Sequence, residues 1–304
     1  MKTLSFNRIT IAAFAAMFSL IFFSCQKENS LSSTSDTTVT EEEATKLSDE
    51  STQAEASFDD VEDVSMTAAE EEGEASVYGR SENTAERYLP TFEELRLHIG
   101  QCATITVLPN DNTYPKKVTI DFGDGCLCAD GKYRKGAIYI YLTGPIRKPG
   151  SVMTIMLHDF YLNRAHVEGT KIFSNLSEHD NIKFTVKVEG GKVTFPNGRG
   201  YSYNSLKYVK QIEGSSTRII RDDVFSIEGR SKTEFNGGIT VTLDTESPLI
   251  KKVVCHWISD GVLKIKINDR VLLLNYGAPS NGDCDNKALL TWNKGANEKL
   301  ITLP

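Results

Sequence analysis

"GVLKIKINDRVLLLN", residues 261–275, decides how this chain folds. Val262 to Ile267 alternate apolar residues with lysine, the period of a strand with one wet face. Asn268-Asp269 then supply turn chemistry, and Val271 to Leu274 lead the chain back. Outward from this pair the same grammar repeats. Lys252 to Ile258 reads as the preceding strand across Ser259-Asp260-Gly261, and Asn236-Gly237-Gly238 turns into Ile239–Leu243. Phe225–Ile227 begins another strand, and Val152–Leu157 reads as one more. Ile182–Val188 and Lys192–Phe195 flank Glu189-Gly190-Gly191, a hairpin signal in which glycine supplies positive φ. Strands joined in chain order by short turns form an antiparallel meander. The fold class expected is all-β, a twisted open sheet or a sandwich, over residues 91–304. No strong amphipathic helix is expected after Gly100.

Ahead of that domain the character changes. Lys2 and Arg8 precede an apolar run from Ile9 to Phe23, too short to span a membrane comfortably and suited to a secretory signal over residues 1–24. The run ends in Phe22-Phe23-Ser24-Cys25, which resembles a bacterial lipobox and implies acylation of Cys25. Acyl chains on that cysteine would tether the protein to a membrane without spanning it. Residues 26–90 hold 18 acidic against four basic residues and few bulky apolar ones. The expectation for 25–90 is therefore a lipidated cysteine followed by a disordered acidic linker, with transient helix where Glu41–Glu43 and Glu70–Glu72 lie among alanines. The remaining domain carries 23 acidic and 28 basic residues, so the net charge of −7 hides two opposed regions. Its basic residues are scattered, which does not imply nucleic acid.

Chemistry is sparse. "DFGDGCLCADG", residues 121–131, gathers acids, glycines and two cysteines. A zinc site there would need Cys126, Cys128 and recruits such as His158, His166 or His256, but Cys-x-Cys is not finger spacing. Calcium at Asp121, Asp124 and Asp130 matches in donor type but lacks a bidentate acid at the right spacing. His158-Asp159 and Arg221-Asp222-Asp223 are the acid–base candidates, and neither pair sits in a hydrolase motif. The reading preferred is a tight turn tied down by Cys126, with no metal, no cofactor and no catalytic residue assigned. Tyr139, Tyr141, Tyr201, Tyr203 and Tyr208 alternate along strands and would make a binding platform if they shared a solvent face.

The two ends of the domain echo each other. Val118-Thr119-Ile120-Asp121-Phe122-Gly123-Asp124-Gly125-Cys126 parallels Leu272-Leu273-Leu274-Asn275-Tyr276-Gly277, followed by Gly282-Asp283-Cys284. Each is a strand, an aromatic-glycine pair, a Gly/Asp turn and a cysteine. Together with Cys102-Ala103-Thr104, Arg134-Lys135-Gly136, Val167-Glu168-Gly169-Thr170, Cys255-His256-Trp257 and Cys284-Asp285-Asn286-Lys287-Ala288, these motifs resemble secreted and outer-membrane lipoproteins of the Bacteroidota, a family of uncharacterised function. The resemblance runs from Cys102 to the C-terminus. It implies a lipid-anchored protein of the outer membrane. Gln26-Lys27-Glu28-Asn29 looks like the export signal that carries such proteins to the cell surface. The preferred disulfides are Cys102 with Cys126 and Cys255 with Cys284, the latter from a cysteine in a strand, while Cys128 is left free or intermolecular, or competes for Cys102. The function expected is a binding or structural module for a glycan or protein ligand. The alternatives are an extracellular hydrolase and a periplasm-facing scaffold or lipid-handling protein.

Overall fold

A computed structural model describes residues 41–78, 90–178, 181–215, 222–255, 257–268 and 270–303, with side chains in the first segment described over 57–75. The expected signal, Cys25 and the residues up to 40 lie outside the described residues, as do 79–89. Two α-helices, α1 (Glu41–Tyr78) and α2 (Glu93–Ile99), precede the strands. These are β1 (Thr104–Leu108), β2 (Lys116–Asp121), β3 (Cys126–Leu127), β4 (Tyr133–Leu142), β5 (Val152–Leu162), β6 (Ala165–Asn175) and β7 (Lys183–Thr194). Then follow β8 (Gly200–Glu213), β9 (Val224–Phe235), β10 (Thr240–Lys252), β11 (Asp260–Ile267), β12 (Arg270–Asn275), β13 (Lys287–Trp292) and β14 (Asn297–Thr302). All fourteen belong to one open antiparallel sheet in chain order, with the two-residue β3 set beside β4. The meander expected from alternation is the fold observed. No helix among the described residues is long and apolar enough to cross a membrane.

Period two decides which residues meet the core. On β4, Ile138, Ile140 and Leu142 are buried while Tyr139 and Tyr141 face outward. β11 shows the same rule, with Leu263 and Ile265 buried between less buried lysines. The inward residues of the sheet and the helices form one continuous apolar cluster.

Two expected features differ. Glu189-Gly190-Gly191 is not a hairpin but a bulge inside the single strand β7, where the register with β8 slips between Val188 and Gly191. Bulges at Lys135/Ala137, Met156/Tyr161 and Glu168/Thr170 continue this line across β4 to β7, and a line of bulges bends a sheet. A Cβ on Gly191 would lie 2.4 Å from the Tyr203 carbonyl oxygen and 2.8 Å from the Phe58 ring, so the bend requires glycine there. Lys252–Ile258 is likewise not a strand. β10 runs on to Lys252 through its own bulges, and a turn closed by the Cys255 N–H on the Lys252 carbonyl follows, so Cys255 sits in a loop.

Within the acidic segment, Glu41–Tyr78 forms a helix whose contacts with the sheet are described over 57–75. Over residues 57–75, α1 is buried on nearly every side, with only Asp63 and Glu74 exposed. Phe58 stacks on Tyr203 with ring centroids 5.3 Å apart, and Val61, Val64, Ala68 and Ala69 join the core. The carboxylates meet cations set on the inner face. Asp60 accepts from Arg134 Nε at 3.0 Å and Nη2 at 2.6 Å, and from Lys132 Nζ at 2.7 Å. Glu72 pairs with Lys116 at 2.9 Å and accepts from the Tyr114 hydroxyl at 2.5 Å. Glu62 pairs with Lys171, whose Nζ also donates to the Phe58 carbonyl at 2.9 Å. Glu70 lies 3.3 Å from Arg147. Glu71 accepts from the first N–H groups of α2, at 3.0 Å from Glu94 and 3.1 Å from Leu95. A segment too acidic to build its own core is ordered here against three cations on strands, Lys116, Arg134 and Lys171, and two in adjoining loops, Lys132 and Arg147.

Candidate functional site

The cysteine turns come first, because they decide whether 121–131 is chemistry or architecture. Cys102 bonds to Cys126 and Cys255 to Cys284, with Cα atoms 5.5 and 5.3 Å apart. The internal repeat extends to hydrogen bonds. Asp121 Oδ1 accepts from the Gly123 N–H at 2.8 Å, and Asn275 Oδ1 accepts from the Gly277 N–H at 3.0 Å. At the far end of each turn, Asp130 and Asp285 accept from the N–H of Lys132 and Lys287, at 3.1 and 2.8 Å. Phe122 and Tyr276 are the buried aromatic plugs of the two copies, 4 % and 2 % exposed. These are side-chain-capped turns, each held by one disulfide.

The acids of the first turn are engaged accordingly. Asp130 grips the free edge of the Arg134 guanidinium, at 2.9 and 2.6 Å, so Arg134 is held between two carboxylates. Burial pushes the Asp130 carboxyl up, but the Arg134 and Lys132 donors prevail and hold it below the ordinary carboxylate range. Among the described residues Cys128 is the free thiol, 4 % exposed, with burial raising its pKa against the pull of Arg134. A buried thiol with a raised pKa is a poor nucleophile. No group of three or more His, Cys, Asp or Glu placed to hold a metal occurs among the described residues.

The acid–base candidates do not converge. His158 lies on the outer face of β5 and stacks on Tyr139 with centroids 5.8 Å apart, and Asp159 sits in the β5 bulge with φ 45°. Asp223 is buried just before β9, accepting from Gln211 Nε2 at 2.8 Å, with Asp222 exposed beside it. Three whole strands, β6 to β8, stand between the two pairs. Arg221 and His256 lie outside the described residues.

The expected tyrosine platform also divides. Tyr201 and Tyr203 point inward, 1 % and 4 % exposed, with Tyr201 edge-on to Phe195 and Phe235. On the same strand Tyr208 has the opposite parity and stands 53 % exposed on the outer face. Tyr139 and Tyr141 share that outer face, with Lys117 Nζ 4.0 Å above the Tyr139 ring and 5.6 Å from that of Tyr141.

Around Tyr208 the outer face carries a shallow, open depression. A groove of about 620 Å³ opens where β7 to β10 bend, lined by Lys187, Glu189, Asn204, Tyr208, Arg230 and Lys232 among others. These side chains come from facing positions: Tyr208 pairs with Thr185 and Glu228, Leu206 with Lys187 and Arg230, and Asn204 with Lys232. Bent strands thus place one exposed ring among paired cations and anions. Lys187 meets Glu189 at 2.5 Å, and Arg230 meets Asp244. Asn204 Oδ1 accepts from the Gly190 N–H at 2.9 Å, which ties the groove floor to the bulge. Only Tyr208 of this set stands out in the sequence, because strand pairing and bulges, not local spacing, bring the rest together. The size suits a small ligand or a short stretch of polymer, and the lining supplies a flat apolar face flanked by directional donors and acceptors. Comparison of the chain with family models, with curated proteins and with solved structures gives no match.

Proposed function

We propose that this protein is a binding module, tethered through lipidated Cys25 at the outer membrane and displayed on the cell surface, that takes a glycan on the outer face of its sheet. The groove at Tyr208 is the observation that carries this reading: its exposed ring is positioned to stack on a sugar, with Asn204, Arg230 and Lys232 placed to bond hydroxyls around it. A lipid-handling role would need an apolar channel inside the sheet, and that interior is filled by α1 and its ion pairs. Hydrolysis by the His158 and Asp223 pairs would need them in one pocket, and they lie strands apart.

The test is a glycan array read with the full chain in detergent, followed by calorimetry on any hit. Tyr208→Ala and Arg230→Ala should abolish binding while leaving the unfolding midpoint unchanged, since both side chains are largely exposed. A blank array with correctly folded protein, or a hit untouched by both variants, would overturn the assignment.

A further inference from the structure

Three inward-facing positions of the sheet carry cations where alternation calls for apolar residues. Lys116 precedes Val118 and Ile120 on β2, Arg134 precedes Ile138 and Ile140 on β4, and Lys171 lies between Val167 and Phe173 on β6. All three are 5 % exposed or less. A buried cation without its anion is strongly disfavoured, so a helix that covers this face must bring carboxylates to these positions. The spacing of the site matches α1: Asp60 seats on Arg134, Glu62 on Lys171 and Glu72 on Lys116. The helix is held by side chains rather than by strand pairing. Its link to α2 is the fourteen residues 79–92, which can reach about 46 to 50 Å when extended.

We propose that this cationic inner face is an exchangeable seat, and that α1 of one copy can occupy the sheet of a second copy to give a helix-swapped dimer. In any state in which α1 leaves its own sheet, Lys116 and Lys171 lose their carboxylates and Arg134 keeps only Asp130, and α1 of a second copy restores all three contacts residue for residue. Swapping preserves each contact of the monomer, which makes it an inexpensive route to a dimer. Cys128 provides a reporter: it is buried in the same core cluster as α1, and its thiol interacts with Arg134, the residue that Asp60 grips.

The experiment uses full-length Glu62→Lys and Lys171→Glu chains. Each alone places like charges together at this buried pair, which should unseat α1 and let maleimide modify Cys128 within minutes, as read by peptide mass. Unfolded with disulfides intact and refolded together, the two should form a 1:1 dimer in which Cys128 is protected, because each swapped interface restores one opposite-charge pair. The double variant Glu62→Lys/Lys171→Glu should be protected as a monomer at low concentration. In a second measurement that needs no variant, heavy- and light-isotope wild-type chains are co-refolded at tens of micromolar and cross-linked with a carbodiimide. Mixed-isotope Glu62–Lys171 links are expected. Monomers with reactive Cys128 in the variant mixture, together with cross-links confined to one isotope, would overturn the proposal.

Discussion

Replacing Asp60 by alanine separates a seated helix from a solvated linker. The carboxylate is buried, and it accepts two guanidinium bonds from Arg134, itself 0 % exposed, with a third bond from Lys132. Breaking a buried pair by removing one partner costs about 3 to 5 kcal/mol. Arg134 keeps both bonds to Asp130, which places the cost at the low end, and alanine returns about 0.5 kcal/mol of helix propensity. The expected loss is about 2 to 3 kcal/mol, read as a fall in the urea midpoint and as new reactivity at Cys128. Glu246→Ala is the matched control, since its pair with Lys264 spans 3.4 Å between exposed side chains and is worth under about 0.5 kcal/mol. Adding Arg134→Met to Asp60→Ala should recover part of the loss, because a buried methionine needs no counter-ion. If Asp60→Ala costs no more than Glu246→Ala, the acidic segment does not depend on its cations and the account of the core is wrong.

The other expectations follow from the same coordinates. Burial lifts the Glu70 carboxyl from 4.5 to about 7 against the pull of Arg147, so the folded state binds more protons than the unfolded chain. Stability should therefore fall as pH rises from about 4.5 to about 7, by about 3 kcal/mol in all from this group, and Glu70→Gln should flatten that slope in urea titrations at stepped pH. A Cys255→Ser/Cys284→Ser chain loses a link that spans 29 residues and should be about 3 kcal/mol less stable, with an unchanged strand signal in far-ultraviolet dichroism at 20 °C. Gly191→Ala pushes a methyl group against the Tyr203 carbonyl and the Phe58 ring and should cost about 1 to 3 kcal/mol, whereas Gly237→Ala, with open space around its Cα, should cost under about 0.5 kcal/mol by thermal melt.

Much of the sheet was legible because period two is local. The lysines of β11 and the Asn268 turn identify a hairpin without help from the rest of the chain. The cysteine turns were legible because two distant stretches repeat the same residue order, and their matching side-chain caps show why that order recurs. Gly190-Gly191 misled because a hairpin and a bulge ask for the same residue, and only the partner strand distinguishes them. The division of the tyrosines was available in principle: Tyr201 and Tyr203 share a parity that Tyr208 does not. The seated helix was not visible from its own composition, since every partner of its carboxylates lies far along the chain. The signal lay elsewhere, in Lys171 standing on an apolar face between Val167 and Phe173, a position that requires an anion. Of the groove only Tyr208 was visible in local pattern, because strand pairing brings the rest of its lining together.

The position of α1 in the chain also bears on the order of assembly. Strands of the meander find their partners next door, whereas the helix binds residues 42, 74 and 113 positions downstream through Glu72, Asp60 and the Phe58 carbonyl. A chain made from its N-terminus therefore delivers the helix before its seat exists, and the seat is complete only once β8, which carries Tyr203, has emerged. Until then the carboxylates keep that stretch soluble and poorly suited to premature strand pairing. The property that reads as a mark of disorder thus also suits a segment that must wait for its partner.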